Sequence, residues 1–124
     1  MLNRKIQDAL NDQVNHEFYS AYYYLAASAY CEEKTLAGFA KWLKAQAQEE
    51  LMHGMKLFGQ IHDRGGHVEL GKIDQPPTQF KSLLDVFQQV LKHEQKVTGM
   101  IHGLYELAQR EKDYATQIAL QWFV

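Results

Sequence analysis

The stretch QAQEELMHGMKLF, residues 46–58, has the spacing of an amphipathic α-helix, but it places an acid and a histidine among inward-pointing apolar residues. Residues three, four, seven or eight positions apart lie on one face of a helix. The residues in that relation to Glu50 include Trp42, Leu43, Ala47, Leu57 and Phe58. Glu50 therefore faces the core, where an ionised carboxylate without a partner is strongly unfavourable.

An inward-facing acid also occurs on two other predicted helices. Glu17 shares its face with Leu10, Val14, Ala21, Tyr24 and Leu25. Glu94 shares its face with Phe87, Val90, Leu91, Val97 and Ile101. By contrast, Glu32 and Glu49 have mixed or polar neighbours. Three convergent acids would repel one another, so the sequence predicts either a bound cation or strongly raised pKa values.

The histidine at position 53 favours the bound cation. His53 lies three residues after Glu50, about 60° around the helix, so both side chains can bind one metal ion or a close pair. Carboxylate oxygen combined with imidazole nitrogen suits iron, manganese or zinc, whereas calcium would gain little from the nitrogen. The nearby lysines fall mostly on other faces; they are Lys41, Lys44, Lys56 and Lys92. The sequence therefore predicts a metal site shared by three helices.

Helix-breaking and capping residues divide the chain into four predicted helices. Both prolines and a glycine pair lie in one central region, and no segment has a convincing strand pattern. We expect one domain, residues 1–124, with helices at about 3–32, 35–63, 79–109 and 113–124 and a linker at about 64–78. Thr78 and Asp113 are the expected caps of the third and fourth helices. The linker is long enough to span the second helix, which predicts an all-α four-helix bundle with one long crossover between helices two and three. We expect the fourth helix of this bundle to be incomplete.

Composition excludes several other classes of protein. The formal net charge is −2 without a block of like charge, so nucleic acid is not an expected partner. Apolar runs fall far short of the roughly 20 residues of a membrane span, and the N-terminus lacks a signal-peptide pattern. We therefore expect a soluble, cytoplasmic protein without a membrane partner. The single cysteine, Cys31, rules out an intrachain disulfide and is expected to be a small buried residue.

The first and third helices share a short repeated motif, since each contains a His-Glu pair: His16-Glu17 in the first and His93-Glu94 in the third. The fourth helix should then mirror the second with its own acid-x-x-ligand pair. Residues 113–124 contain one acid, Asp113, at the cap. The remaining histidines have no ligand partner at regular spacing. Packing roles are expected for the large side chains Trp42, Trp122, Tyr22, Tyr23, Met55 and Met100, whereas Met52 is expected at the helix surface or in an interface. Tyr24, on the face of Glu17, fits either core packing or a redox role.

Five segments together resemble bacterial non-haem ferritins over the whole chain. They are NDQVNHEFYSAYYYL, FAKWLKAQAQEELMHGMKLF, RGGHVEL with the following Pro-Pro, LKHEQKVT and LQWFV. The resemblance implies a ferritin-like bundle and a di-iron ferroxidase centre. Such proteins oxidise ferrous iron with dioxygen or peroxide and deposit ferric mineral inside a homo-oligomeric shell of 24 subunits.

The resemblance also implies roles for individual residues. Glu17 and His53 would hold one iron, Glu50 would bridge, and Glu94 would hold the second iron. Tyr24 matches a tyrosine proposed to donate an electron, and Glu49 matches an acid of a third iron site in some members. Zinc or manganese could replace iron as surrogates.

One departure from the family pattern leaves alternatives open. In the family the fourth helix continues past LQWFV with further iron ligands and a fifth helix follows, so we expect that this sequence is part of a longer protein. One alternative is an assembly or interaction module that has lost turnover. Another is a rubrerythrin-like peroxidase, against which the lack of a Cys-x-x-Cys module counts.

Overall fold

The computed structural model describes residues 2–123 as four α-helices and one short 3-10 turn. The elements are α1 (Arg4–Glu33), α2 (Ala37–Asp63), α3 (Leu83–Arg110), α4 (Tyr114–Leu120) and the 3-10 turn Gln121–Phe123. No strand occurs within the described residues, which confirms the all-α prediction. Val124, the last residue of the predicted fourth helix, lies outside the described residues. Among those described, no helix is both long and apolar enough to cross a membrane.

Two apolar clusters fix the directions of the helices. One joins the start of α1 to the ends of α2 and α3; it contains Leu2, Ile6, Leu10, Val14, Leu57, Ile61, Leu104, Ala108 and Leu120. The other joins the end of α1 to the starts of α2 and α3; it contains Tyr23, Tyr24, Ala27, Cys31, Ala40, Leu43, Ala47, Val86 and Val90. Helices α2 and α3 are therefore both antiparallel to α1 and parallel to each other, as the long crossover requires. The predicted metal site lies between the two clusters.

Polar side chains of α1 hold the crossover linker against the helix. Gln7, Asn11 and Asn15 are spaced four residues apart and so form one stripe. Their hydrogen bonds are His67 N to Gln7 Oε1 (2.9 Å), Asn11 Nδ2 to His67 O (2.9 Å), Glu69 N to Asn11 Oδ1 (2.8 Å) and Asn15 Nδ2 to Lys72 O (2.9 Å). The linker is therefore ordered by side-chain amides and not by a strand partner.

The helix boundaries differ from the prediction at the third helix. Its N-cap is Ser82, whose hydroxyl accepts from the Asp85 backbone N–H at 3.1 Å, and not Thr78. The Asp85 carboxylate in turn accepts from the Lys81 N–H at 2.9 Å, so the two side chains satisfy donors on both sides of the boundary. The linker consequently extends to residue 82 and α3 begins at Leu83.

The predicted cap of the fourth helix is confirmed. Asp113 accepts from the Thr116 backbone N–H at 3.1 Å. Its carboxylate also accepts from Arg64 Nη1 at 2.9 Å, which connects the end of α2 to the start of α4. Although burial alone would raise the pKa of Asp113, the hydrogen bonds from Arg64 and Thr116 lower it.

The outer face of the bundle differs from the expected packing. Tyr22 and Met55 are each about half exposed, because no other element of the described chain covers that side of the α1–α2 hairpin. Trp42 is also half exposed, but it lies on the side of α2 that faces α3, where its ring meets that of Phe87 at 6.0 Å between centroids. Met52 is exposed, as expected for a surface or interface residue, and Cys31 is fully buried, as predicted.

Gly54 allows α1 and α2 to approach closely beside the predicted site. A Cβ atom at this position would collide with the ring of Phe18. We expect Gly54→Ala to lower the free energy of unfolding by about 1–3 kcal/mol, because the ring must shift within a packed interface. Gly59→Ala is the matched control: a Cβ there meets nothing within 4 Å, and alanine should stabilise the helix by up to about 1 kcal/mol. Equal stability of the two variants in urea unfolding would contradict this account.

Candidate metal centre

Three side chains of the first two helices converge on one point. One ligand atom each from Glu17, Glu50 and His53 lies within 4.8 Å of the other two. His53 Nδ1 is 3.3 Å from Glu50 Oε2 and 3.9 Å from Glu17 Oε2. Glu50 and His53 are one turn apart on α2, and the antiparallel packing of α1 brings Glu17 opposite them. The structure thus assembles two carboxylates and one imidazole at the predicted place.

Both carboxylates are deeply buried, and each keeps a free oxygen. Glu17 is 1% exposed and Glu50 is 6% exposed. Gln13 Nε2 donates to Glu17 Oε1 at 3.2 Å. Within the described residues, Glu17 Oε2 and Glu50 Oε2 have no hydrogen-bond partner. Since buried polar atoms are normally paired, two orphaned carboxylate oxygens beside an imidazole fit a divalent metal ion.

The electrostatics of the site keep a proton on one carboxyl in the metal-free chain. Burial, together with the neighbouring Glu50, raises the pKa of Glu17 to about 9. Burial would also raise the pKa of Glu50, but the nearby imidazole of His53 and the protonated carboxyl of Glu17 lower it below its ordinary value. The Glu50 carboxylate, whose Oε2 is 3.3 Å from His53 Nδ1, raises the pKa of His53 in spite of its partial burial. A metal ion that binds here must therefore displace protons.

Glu94, with Tyr24 hydrogen-bonded to it, forms the third side of the same cavity. Glu94 is outside the three-residue group, but together with Glu17, Glu50 and His53 it lines a cavity of about 320 Å³. Tyr24 Oη donates to Glu94 Oε1 at 2.6 Å. Burial raises the pKa of Glu94 even though Tyr24 donates to it, and burial together with Glu94 raises the pKa of Tyr24. Glu94 is thus placed beside the three-ligand group and not within it.

The remaining predicted ligand, Glu49, lies outside the group of Glu17, Glu50 and His53. Glu49 is exposed on α2, next in sequence to Glu50 but not among the converging side chains. A role for Glu49 at a third iron site stays a prediction.

Three residues near the site were missed as site neighbours. His93 Nε2 lies 2.8 Å from Ser20 Oγ, and its ring stacks on Tyr23 with centroids 4.7 Å apart. Its position just before Glu94 was the available signal. Trp122 and Phe123 approach His53 edge-on, at 5.1 and 5.8 Å between centroids, and both line the cavity. No spacing rule connects these two residues to α2, because they come from another element.

Comparison with known proteins agrees with the fold. A family model described as a ferritin-like domain matches residues 7–124. A bacterial non-heme ferritin of Staphylococcus haemolyticus is 46% identical over 124 residues, which are 100% of this chain and 75% of that protein. Its counterpart in Staphylococcus aureus is 43% identical over the same shares. A solved open-pore ferritin from Archaeoglobus fulgidus superposes with a TM-score of 0.98 at 46% identity, covering 100% of this chain and 76% of that one.

The fold and the site define a helical-bundle protein with a carboxylate–histidine group that could hold a metal ion. The chain belongs to the ferritin family, and iron storage is the general function of that family. It spans 75% of the length of the curated relatives named above.

Proposed function

We propose that this protein stores and detoxifies iron by oxidising ferrous iron at an intrasubunit di-iron centre. One observation carries the proposal: Glu17, Glu50 and His53 converge within 4.8 Å, and two of their buried oxygens lack a partner. Such oxygens are costly unless a cation or a proton compensates them. In a chain of the ferritin family, ferrous iron is the cation that this donor set serves.

The proposed roles of the side chains are those that the resemblance to bacterial non-haem ferritins implies. Glu17 and His53 hold one iron, Glu50 bridges, and Glu94 holds the second iron. The distance of 3.3 Å between Glu50 Oε2 and His53 Nδ1 supports binding of one ion by both residues. The place of Glu94 in the same cavity supports a second ion next to the first. Tyr24 is proposed to supply an electron, and its 2.6 Å hydrogen bond to Glu94 supports a role next to the second iron.

The proposed reaction is a paired oxidation of the substrate iron. Two ferrous ions each give one electron to one dioxygen, which takes up two protons and leaves as hydrogen peroxide, while two ferric ions remain. Hydrogen peroxide can replace dioxygen as the oxidant and is then reduced to water. Hard carboxylate ligands favour the ferric product. The carboxyl groups around the cavity can rearrange to release that product for deposition as mineral.

The proposed assembly is a homo-oligomeric shell of 24 subunits in the cytoplasm. Family membership and the half-exposed apolar residues of the α1–α2 hairpin support association of this kind. Zinc or manganese would occupy the same ligands as surrogates for iron.

Aerobic addition of ferrous iron to the purified protein tests the proposal. Oxidation should produce ferric absorbance in the near ultraviolet much faster than in buffer without protein. A rate equal to that of buffer would contradict the proposed activity.

A second candidate function is a non-catalytic assembly module. The exposure of Tyr22 and Met52 on the outer side of the hairpin favours it, because large apolar side chains on a surface are typical of an interface. Stable oligomers in sedimentation, combined with no iron oxidation above background, would favour this function. The ferritin names of the relatives favour iron storage over the rubrerythrin-like peroxidase.

A further inference from the structure

Trp122 lies between the candidate metal centre and a lysine. Its ring is edge-on to that of His53, with centroids 5.1 Å apart and an interplanar angle of 86°. On the other side, Lys56 Nζ lies 3.9 Å from the centroid of the Trp122 ring. Lys56 follows His53 by three residues on α2, so one helix face supplies both the metal ligand and the cation.

Two oxidisable rings, Tyr24 and Trp122, lie near the candidate metal centre. Their nearest charged groups have opposite signs. Tyr24 is buried and donates to a carboxylate at 2.6 Å. Trp122 is 55% exposed and carries an ammonium group over its ring. A carboxylate partner favours loss of an electron from a phenol, because it attracts the positive charge that develops. An ammonium group over an indole opposes that loss.

We propose that Lys56 protects Trp122 from one-electron oxidation at the metal centre. The inference rests on the proposed function, which would bring ferrous iron and peroxide next to the indole. The attraction between an ammonium group and the π-face of an indole becomes repulsion once the indole is a radical cation. Lys56 therefore acts through Trp122: its positive charge makes the loss of an electron from the indole less favourable.

The oxidation that Lys56 opposes has two one-electron steps. Hydrogen peroxide takes one electron from a ferrous ion and one from the Trp122 indole, which also loses its N–H proton. Two waters, a ferric ion and an indolyl radical result, with one further proton consumed. A second peroxide then takes one electron from a second ferrous ion and one from the indolyl radical, consumes two protons and leaves two waters and a ferric ion. The oxidised ring adds a water and releases one proton, which gives hydroxytryptophan.

Trp42 provides an internal control, because it is the other of the two tryptophans in the chain and is similarly exposed. After aerobic turnover of the full chain with ferrous iron and hydrogen peroxide, peptide mass spectrometry would measure oxygen addition at each tryptophan. In Lys56→Met we expect oxygen addition at Trp122 to rise about threefold relative to Trp42. Lys56→Arg should behave like the parent, since the cation is kept. Lys44→Met, which removes an exposed lysine elsewhere on α2, should also behave like the parent.

A second experiment, without iron, tests this inference independently of the proposed function. Hexachloroiridate(IV), an outer-sphere one-electron oxidant, would be added to the metal-free chain. Its negative charge is attracted by Lys56, so a faster loss of Trp122 in Lys56→Met cannot come from attraction. We expect about a twofold rise there as well. Unchanged Trp122 oxidation in this arm, or an equal rise in Lys44→Met, would overturn the role of Lys56. A parent chain that fails to oxidise iron would overturn the proposed function alone.

Discussion

Replacement of Glu50 by alanine is expected to slow ferrous-iron oxidation by on the order of 100-fold or more, because even residues that merely support metal ligands contribute 10–100-fold. Glu50 is 6% exposed, touches His53 at 3.3 Å and is the proposed bridge between two ions. Its loss would leave each iron without a shared ligand, so the two electrons could no longer be delivered together. Stopped-flow absorbance under air would measure the initial rate.

The control for this experiment is Glu32→Ala, which removes an exposed acid of α1 far from the cavity. It should oxidise iron at the parental rate, and circular dichroism should show that both variants are folded. If Glu50→Ala oxidises iron as fast as Glu32→Ala, the assignment of the centre is wrong.

The metal-free protein is expected to lose stability as the pH rises from about 5 to about 9. The pKa of Glu17 is raised from 4.5 to about 9 in the folded state, so its stabilising contribution is fully present below 4.5 and is lost as the pH rises through about 9. The pKa of His53 is likewise raised above 6.5, and its contribution is lost in the same direction. His93 has a lowered pKa and opposes this trend, but its contribution changes only below 6.5. Thermal unfolding at a series of pH values would measure the slope.

Zinc should reverse that trend, since it binds the deprotonated ligands more tightly as the pH rises. At a free concentration of about 100 times its dissociation constant, it should add about 2.7 kcal/mol to the free energy of unfolding. For a chain of this size we expect the melting temperature to rise by roughly 10 °C. Glu17→Gln should flatten the pH dependence and remove most of the zinc effect. An equal zinc effect in Glu17→Gln and the parent would show that the ion binds elsewhere.

Helical spacing was enough to predict the centre of the site. Glu17, Glu50 and Glu94 were identified because apolar residues lie three, four, seven and eight positions away from each of them along the sequence. His53 was identified because it follows Glu50 by one helical turn. Linker length predicted the parallel course of α2 and α3, since a chain that must cross a whole helix cannot do so in a short turn. These features depend on periodicity and length, which the sequence contains.

Other features depend on tertiary contacts that periodicity does not contain. Thr78 and Ser82 are both good N-caps, and the choice of Ser82 depends on the reciprocal contact of Asp85 with the Lys81 N–H. Lys56 was placed on a face away from the acids, yet it reaches over a ring supplied by a different element, Trp122. The half-exposure of Trp42 was missed because its apolar character predicts burial, whereas Phe87 of α3 covers only part of its ring.

The most direct test of the central claim is an anomalous difference map at the iron absorption edge, from crystals of this protein soaked with ferrous iron without oxygen. The account predicts one peak in contact with Glu17, Glu50 and His53, and a second peak next to Glu94 within the same cavity. A map with no peak at the three-ligand group would contradict it.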